Sequence, residues 1–300
     1  MKTKNSRKRE NRGERMLEDG ESSNIEDRRG MGGGRGLALG GGGLGTLLLI
    51  LVVWLCGGDP RALLDQLGGG GSAPVQQQQQ QNQTNQPQND AQKRKISSVL
   101  KSTEDVWGQI LPKQANVRYT NPTLVLFSNR TNSACGQASA STGPFYCPGD
   151  GKLYLDFAFF DELQKRFGAP GDFAQAYVVA HEVGHHVQDL LGTMDKVTAA
   201  QQRASETQAN QLSVRLELQA DCYAGVWANY VKQKGMLEAG DVEEAMKAAS
   251  SVGDDNIQKQ SQGYVVPESF THGSAQQRMS WFSKGFQSGQ ISQCNTFATR

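Results

Sequence analysis

Three of the chain's four histidines fall within six positions, in the stretch Ala180-His181-Glu182-Val183-Gly184-His185-His186. On a helix, His181 and His185 lie one turn apart on one face, and Glu182 points to the side of whatever they hold. Two imidazoles with a carboxylate beside them make the first half of a zinc site with a general base next to it. A histidine-poor chain that gathers its histidines here must build a helix at this point and bring a further ligand to it from elsewhere.

The surroundings of the cluster support a helix. From Asp172, the residues Phe173, Ala176, Tyr177, Ala180, Gly184, Val187 and Leu191 recur at helical spacing, which predicts one packed stripe adjoined by His181, His185 and Gln188, with Gly192 as the stop. Zinc held by three protein groups and a water needs one more ligand, usually His, Glu or Asp. A metzincin would carry glycine at 188 and histidine at 191; Gln188 and Leu191 exclude that subclass. Asp189 and Asp195 follow the helix too closely to fold back without strain, and Glu206 stands alone. Glu217 and Asp221 lie one turn apart in a segment of helix-forming composition from about Ser205 to Lys232 and share a face. Glu217 is expected to complete the coordination of one zinc per chain, and Asp221 to accept the other ring N–H of a zinc histidine. The alternative is a pair of solvated carboxylates on a helix surface.

The N-terminal third reads differently. Residues 1–35 are polar, mixed in charge and glycine-rich, which predicts a disordered tail. Residues 36–58 carry no charge and include the run Leu47 to Leu55, long enough for a transmembrane helix through a lipid bilayer. Lys and Arg crowd the segment before this span, whereas only Arg61 follows before Lys93. The positive-inside rule then predicts a single-pass membrane protein with a cytoplasmic N-terminus and an extracytoplasmic C-terminal domain. Residues 59–92, rich in Gly and Gln, read as a flexible linker, leaving 93–300 as the globular domain. A net charge of +1 offers nothing to nucleic acid.

Within that domain, Ile96, Val99, Leu100, Val106, Trp107 and Ile110 suit an amphipathic helix stopped by Pro112. Thr123 to Phe127 and Lys152 to Asp156 read as strands of a small sheet. Asp241 with Glu244 reads as a capping box opening a helix through Ser250. Of five cysteines, Cys56 stands apart. Cys135 and Cys147 flank a turn-rich region and are expected to pair in an exported domain, leaving Cys222 and Cys294 as candidates for a second bond.

His-Glu-x-x-His followed by Glu-x-x-x-Asp resembles the gluzincins. Ala180 to Gln188 together with Glu217 to Gly225 is similar to the putative neutral zinc metallopeptidase family, a resemblance running from about Cys135 to Phe297 and including Gly143 to Pro148 and Leu153 to Asp156. It implies an α+β, zincin-like domain, mostly helical with a small sheet, in a bacterial envelope setting. Related gluzincins place a late histidine by the developing oxyanion, a role the resemblance offers to His272. Arg278 is expected to pair with Asp221 or Glu217. The implied activity is hydrolysis of peptide or protein substrates by a zinc metalloendopeptidase, with Glu182 taking a proton from the attacking water. The rival reading is a noncatalytic envelope module that binds a protein partner. Its closed zinc site would leave Glu182 without a task.

Overall fold

The computed structural model describes residues 20–30 and 76–298. Residues 20–30 and 91–298 belong to one compact unit; the described part of a second unit, 33–90, is the helical stretch 76–90. The fold is α+β and mostly helical. Its main sheet contains β1 (Ile25–Asp27), β2 (Thr123–Phe127), β5 (Phe145–Cys147) and β6 (Lys152–Asp156) in the order β1-β2-β6-β5. The first three are parallel, and β5 runs antiparallel to β6. β2 and β6 are parallel neighbours covered on both faces, which is why each reads as a nearly continuous apolar run. A hairpin of β3 (Arg130–Ser133) and β4 (Gly136–Ser139) stands beside this sheet in sequence.

The strand β1 corrects the expectation of a wholly disordered tail over 1–35. Asn24 O accepts from Leu124 N–H at 2.9 Å, and Arg28 N–H donates to Leu126 O at 2.7 Å. Glu26 pairs with Lys152 and Asp27 with Lys93, at 2.8 and 3.0 Å. Ser22 and Asn24 both donate to the buried Glu104 carboxylate. This pairing places residues 25–27 in the same sheet as 123–127. The expected span 36–58 lies outside the described residues, as do Cys56 and residues 1–19. Among the described residues no helix is long and apolar enough to cross a membrane.

The first helix, α1 (Gln76–Ala115), starts well inside the expected linker 59–92 and passes through Pro112. A proline in the last turn removes one donor and leaves the helix otherwise intact. The chain turns instead at Asn116, in left-handed conformation with φ 54°, where Val117 N–H reaches back to Leu111 O. The other helices are α2 (Ala158–Lys165), α3 (Asp172–Leu190), α4 (Thr193–Gln201), α5 (Glu206–Gln233), α6 (Asp241–Ser251), α7 (Asp254–Gln262) and α8 (Ala275–Ser288). The capping box expected at α6 does not form, because Gly240 is the N-cap. Asp241 instead accepts from Glu238 N–H, and Glu244 reaches across to Phe173 N–H. Ser205 with Gln208 and Ser274 with Gln277 form such boxes at α5 and α8.

Helices α3, α5, α6 and α8 pack together, with α1 against α5 through Trp107 edge-on to Tyr223 and Trp227 Nε1–H donating to Ser102. Two close approaches fix how these helices present their polar side chains to one another. Gly184 lies against the backbone of Ala220, where an added Cβ would meet Ala220 O at 3.0 Å, so α3 and α5 touch at the level of the histidines. Gly225 and Gly285 bring α5 and α8 into backbone contact, since a Cβ at either would come within 2.0 Å of a carbonyl oxygen. Disulfides join Cys135 to Cys147 and Cys222 to Cys294. By loop entropy they contribute about 3 and about 4 kcal/mol.

Candidate metal centre

Helix α3 is buried along almost its whole length, and its middle turns carry His181, Glu182 and His185. Because α3 and α5 meet at Gly184 and Ala220, Glu217 on α5 lies opposite both rings. Its Oε2 is 3.1 Å from His181 Nε2 and its Oε1 is 3.4 Å from His185 Nε2. The three donor atoms fall within 4.8 Å of one another, the one such cluster among the described residues. Two imidazoles and a carboxylate suit zinc, and three protein ligands leave a position open for catalysis.

The charges agree with a cation at this point. Burial opposes a proton on His181, but Asp221 and Glu217 outweigh it and hold the ring up at about 10. His185 is raised likewise, burial being outweighed by Glu217. Burial would lift Glu217, yet the two histidines take it well below the carboxylate range. The same two carboxylates that favour a proton on these rings would favour a bound cation.

Behind the ligands, each ring is held by its other nitrogen. His181 Nδ1–H donates to Asp221 at 2.9 Å, and Asp221 also accepts Arg278 Nε–H and Nη2–H at 2.8 and 3.0 Å. Of the two carboxylates open to Arg278 in the sequence, Asp221 takes the fork; Glu217 lies 3.9 Å away. Tyr177, which the sequence reading placed only in the packed stripe, donates its hydroxyl to Asp221 at 2.5 Å. Its place one turn before His181 was the available signal. His185 Nδ1 faces Gln188 Oε1 at 2.9 Å.

His186 turns away from the cluster, its Nε2–H donating to Thr120 O at 2.7 Å, and burial lowers its affinity for a second proton. Glu182 is 9% exposed, and no hydrogen bond or ion pair holds its carboxylate among the described residues. Burial raises its pKa. A cavity of about 490 Å³ opens onto Glu182, His181, His185 and Glu217, and His272 lines it from the loop before α8. His272 is about half exposed and sets its Nδ1 3.1 Å from Asp254.

An α+β protein with two histidines and a glutamate converging from two helices, and a free buried carboxylate beside them, has the makings of a zinc hydrolase. The chain belongs to the family described as putative neutral zinc metallopeptidase, whose model matches residues 14–297. It is 49% identical over 284 residues to the uncharacterized protein YpfJ of Escherichia coli K12, covering 92% of this chain and 96% of that one. It is 46% identical over 208 residues to the uncharacterized protein Rv2575 of Mycobacterium tuberculosis H37Rv, covering 66% of this chain and 68% of the relative. No solved structure matches the chain.

Proposed function

We propose that this protein is a zincin-like metalloendopeptidase, binding one zinc through His181, His185 and Glu217 and cleaving peptide bonds in the cavity above them. The observation that carries the reading is Glu182, a buried carboxylate without a partner, facing the cavity between the histidines. A site built only to join α3 and α5 has no use for a carboxylate that lines the cavity beside the ligands. Zinc at this centre would supply Lewis acidity to a water and to a peptide carbonyl. Glu182 would take the proton of the attacking water and pass it to the leaving amine.

Among the side chains lining the cavity, Tyr146 and Tyr177 have hydroxyls already engaged by Asp189 and Asp221, at 2.7 and 2.5 Å. His272 is therefore the side chain we assign to the oxyanion. Its hydrogen bond to Asp254 raises its pKa from the ordinary 6.5; burial and Arg278 oppose the proton, while Glu217 favours it. With Nδ1–H given to Asp254, only the cationic ring has an Nε2–H to offer. Activity is expected to fall as pH rises through this raised value. In Asp254→Asn the alkaline limb of kcat/KM should move down toward 6.5. An unmoved limb would remove His272 from the mechanism.

The direct test uses the full chain, since a truncation at Lys93 would remove β1. The purified protein should bind one zinc and cleave an unfolded protein in a chelator-sensitive way, and Glu217→Ala should lose the metal. Zinc binding without cleavage would favour the partner-binding module. The two disulfides support an oxidising compartment as the working site. Through β1, residues 20–30 would share it, so any membrane attachment through 36–58 would enter and leave by the same face.

A further inference from the structure

The two zinc-facing histidines are backed by unlike groups, and only one of these is a carboxylate. Behind His185 stands Gln188, fully buried one turn along α3. An amide offers a donor at one end and an acceptor at the other, so by itself it does not dictate which ring nitrogen of His185 carries the proton. Its neighbours settle that. Gln188 Nε2–H donates to Leu216 O at 2.6 Å and to Gln219 Oε1 at 3.2 Å. Gln219, itself buried, donates from Nε2 to Cys294 O at 2.9 Å. Leu216 O and Cys294 O are backbone carbonyls and can only accept. Each therefore fixes the amide that faces it, Cys294 O turning Gln219 so that its oxygen meets Gln188 Nε2.

With both amides fixed, Gln188 Oε1 is left facing His185 Nδ1 and requires a proton there. Nε2 then keeps its lone pair for the metal. We infer that Gln188 and Gln219 form a positioning relay that sets the tautomer and ring orientation of His185, anchored at the Cys294 carbonyl beside the Cys222–Cys294 disulfide. Neither glutamine touches the metal position. One short stretch of α5 thus serves both rings: Asp221 holds His181, and Gln219 holds His185 through Gln188. The inference rests on the reading of this centre as a zinc site.

The test measures zinc affinity by chelator competition in the full chain for wild type, Gln188→Leu, Gln219→Leu and the double variant. Loss of an outer partner of a metal histidine weakens metal binding about 10- to 100-fold, which is the expectation for Gln188→Leu. Gln219→Leu should weaken it by a smaller factor, and the double variant should be no weaker than Gln188→Leu alone, because one acts through the other. An affinity within twofold of wild type for Gln188→Leu, or effects of the two substitutions that multiply, would overturn the relay. A second readout needs no variant. In the cobalt(II)-loaded wild type, the ring N–H protons of His181 and His185 should both appear as shifted, slowly exchanging resonances; a fast-exchanging His185 proton would also overturn it. A wild type that binds neither metal removes the zinc reading itself, whereas wild-type binding with indifferent variants removes the relay alone.

Discussion

Glu182→Gln is expected to retain one zinc per chain and to lose peptide hydrolysis, with kcat reduced about 10²- to 10⁴-fold, the usual contribution of a general base. Glutamine has nearly the same shape and keeps the cavity wall, but it cannot accept the proton of the attacking water. The carboxylate it replaces is 9% exposed and held by no partner among the described residues, so the substitution breaks no ion pair and should not unfold the protein. Burial raises the pKa of Glu182, and a base whose pKa lies nearer the working pH is the more effective one. Steady-state kinetics on an unfolded protein substrate, with zinc measured on the same sample, separate the two effects. Full activity in the variant would pass the role of base to another group, and loss of zinc would move Glu182 into the coordination sphere.

The half of the site that was legible in the sequence is the half built on periodicity. Helix α3 announces itself through its packed stripe, and the four-residue spacing of His181 to His185 and of Glu217 to Asp221 places each pair on one face whatever the fold. What the sequence leaves open is the contact between distant segments. Arg278 lies 57 residues from Asp221, and only the close crossing at Gly225 and Gly285 decides that its fork meets Asp221 rather than Glu217. Gln188 is legible beside the packed stripe, but its task, and Gln219 altogether, are not, for a chemical reason. A glutamine carries no charge and belongs to no metal-ligand pattern, and its role depends on two carbonyls that the chain brings to it in space.

The sheet repeats the lesson. β2 and β6 are apolar runs and read as strands, whereas Ile25-Glu26-Asp27 has one apolar residue inside a charged stretch. Nothing in such a composition speaks for a strand. It is held by backbone hydrogen bonds to β2 and by pairing of its carboxylates with Lys152 and Lys93, both of which are properties of the assembled edge. The missed cap at α6 has a similar origin, because Asp241 and Glu244 find partners in Glu238 and Phe173 outside their own first turn.

Arg278→Leu is expected to cost about 3–5 kcal/mol of folding stability, read as a lower denaturant midpoint. Asp221 is fully buried and Arg278 is 3% exposed, so water cannot replace the two charge-assisted bonds the guanidinium supplies. Burial pushes the Asp221 carboxyl up, and the charge of Arg278 is the foremost of the influences that bring it down to about 2. Without the fork, Asp221 loses the two bonds that fix its orientation toward His181 Nδ1–H, and zinc affinity should fall together with stability. Lysine at 278 would keep the charge without the fork and should give an intermediate loss. The double variant Asp221→Asn with Arg278→Leu separates the two consequences. With no unpaired buried charge it should regain much of the stability, since removing both partners costs less than removing one. It should still bind zinc more weakly than wild type, because the carboxylate behind His181 is gone. A double variant with wild-type zinc affinity would reduce Asp221 and Arg278 to a structural ion pair, and an Arg278→Leu protein within about 1 kcal/mol of wild type would deny even that.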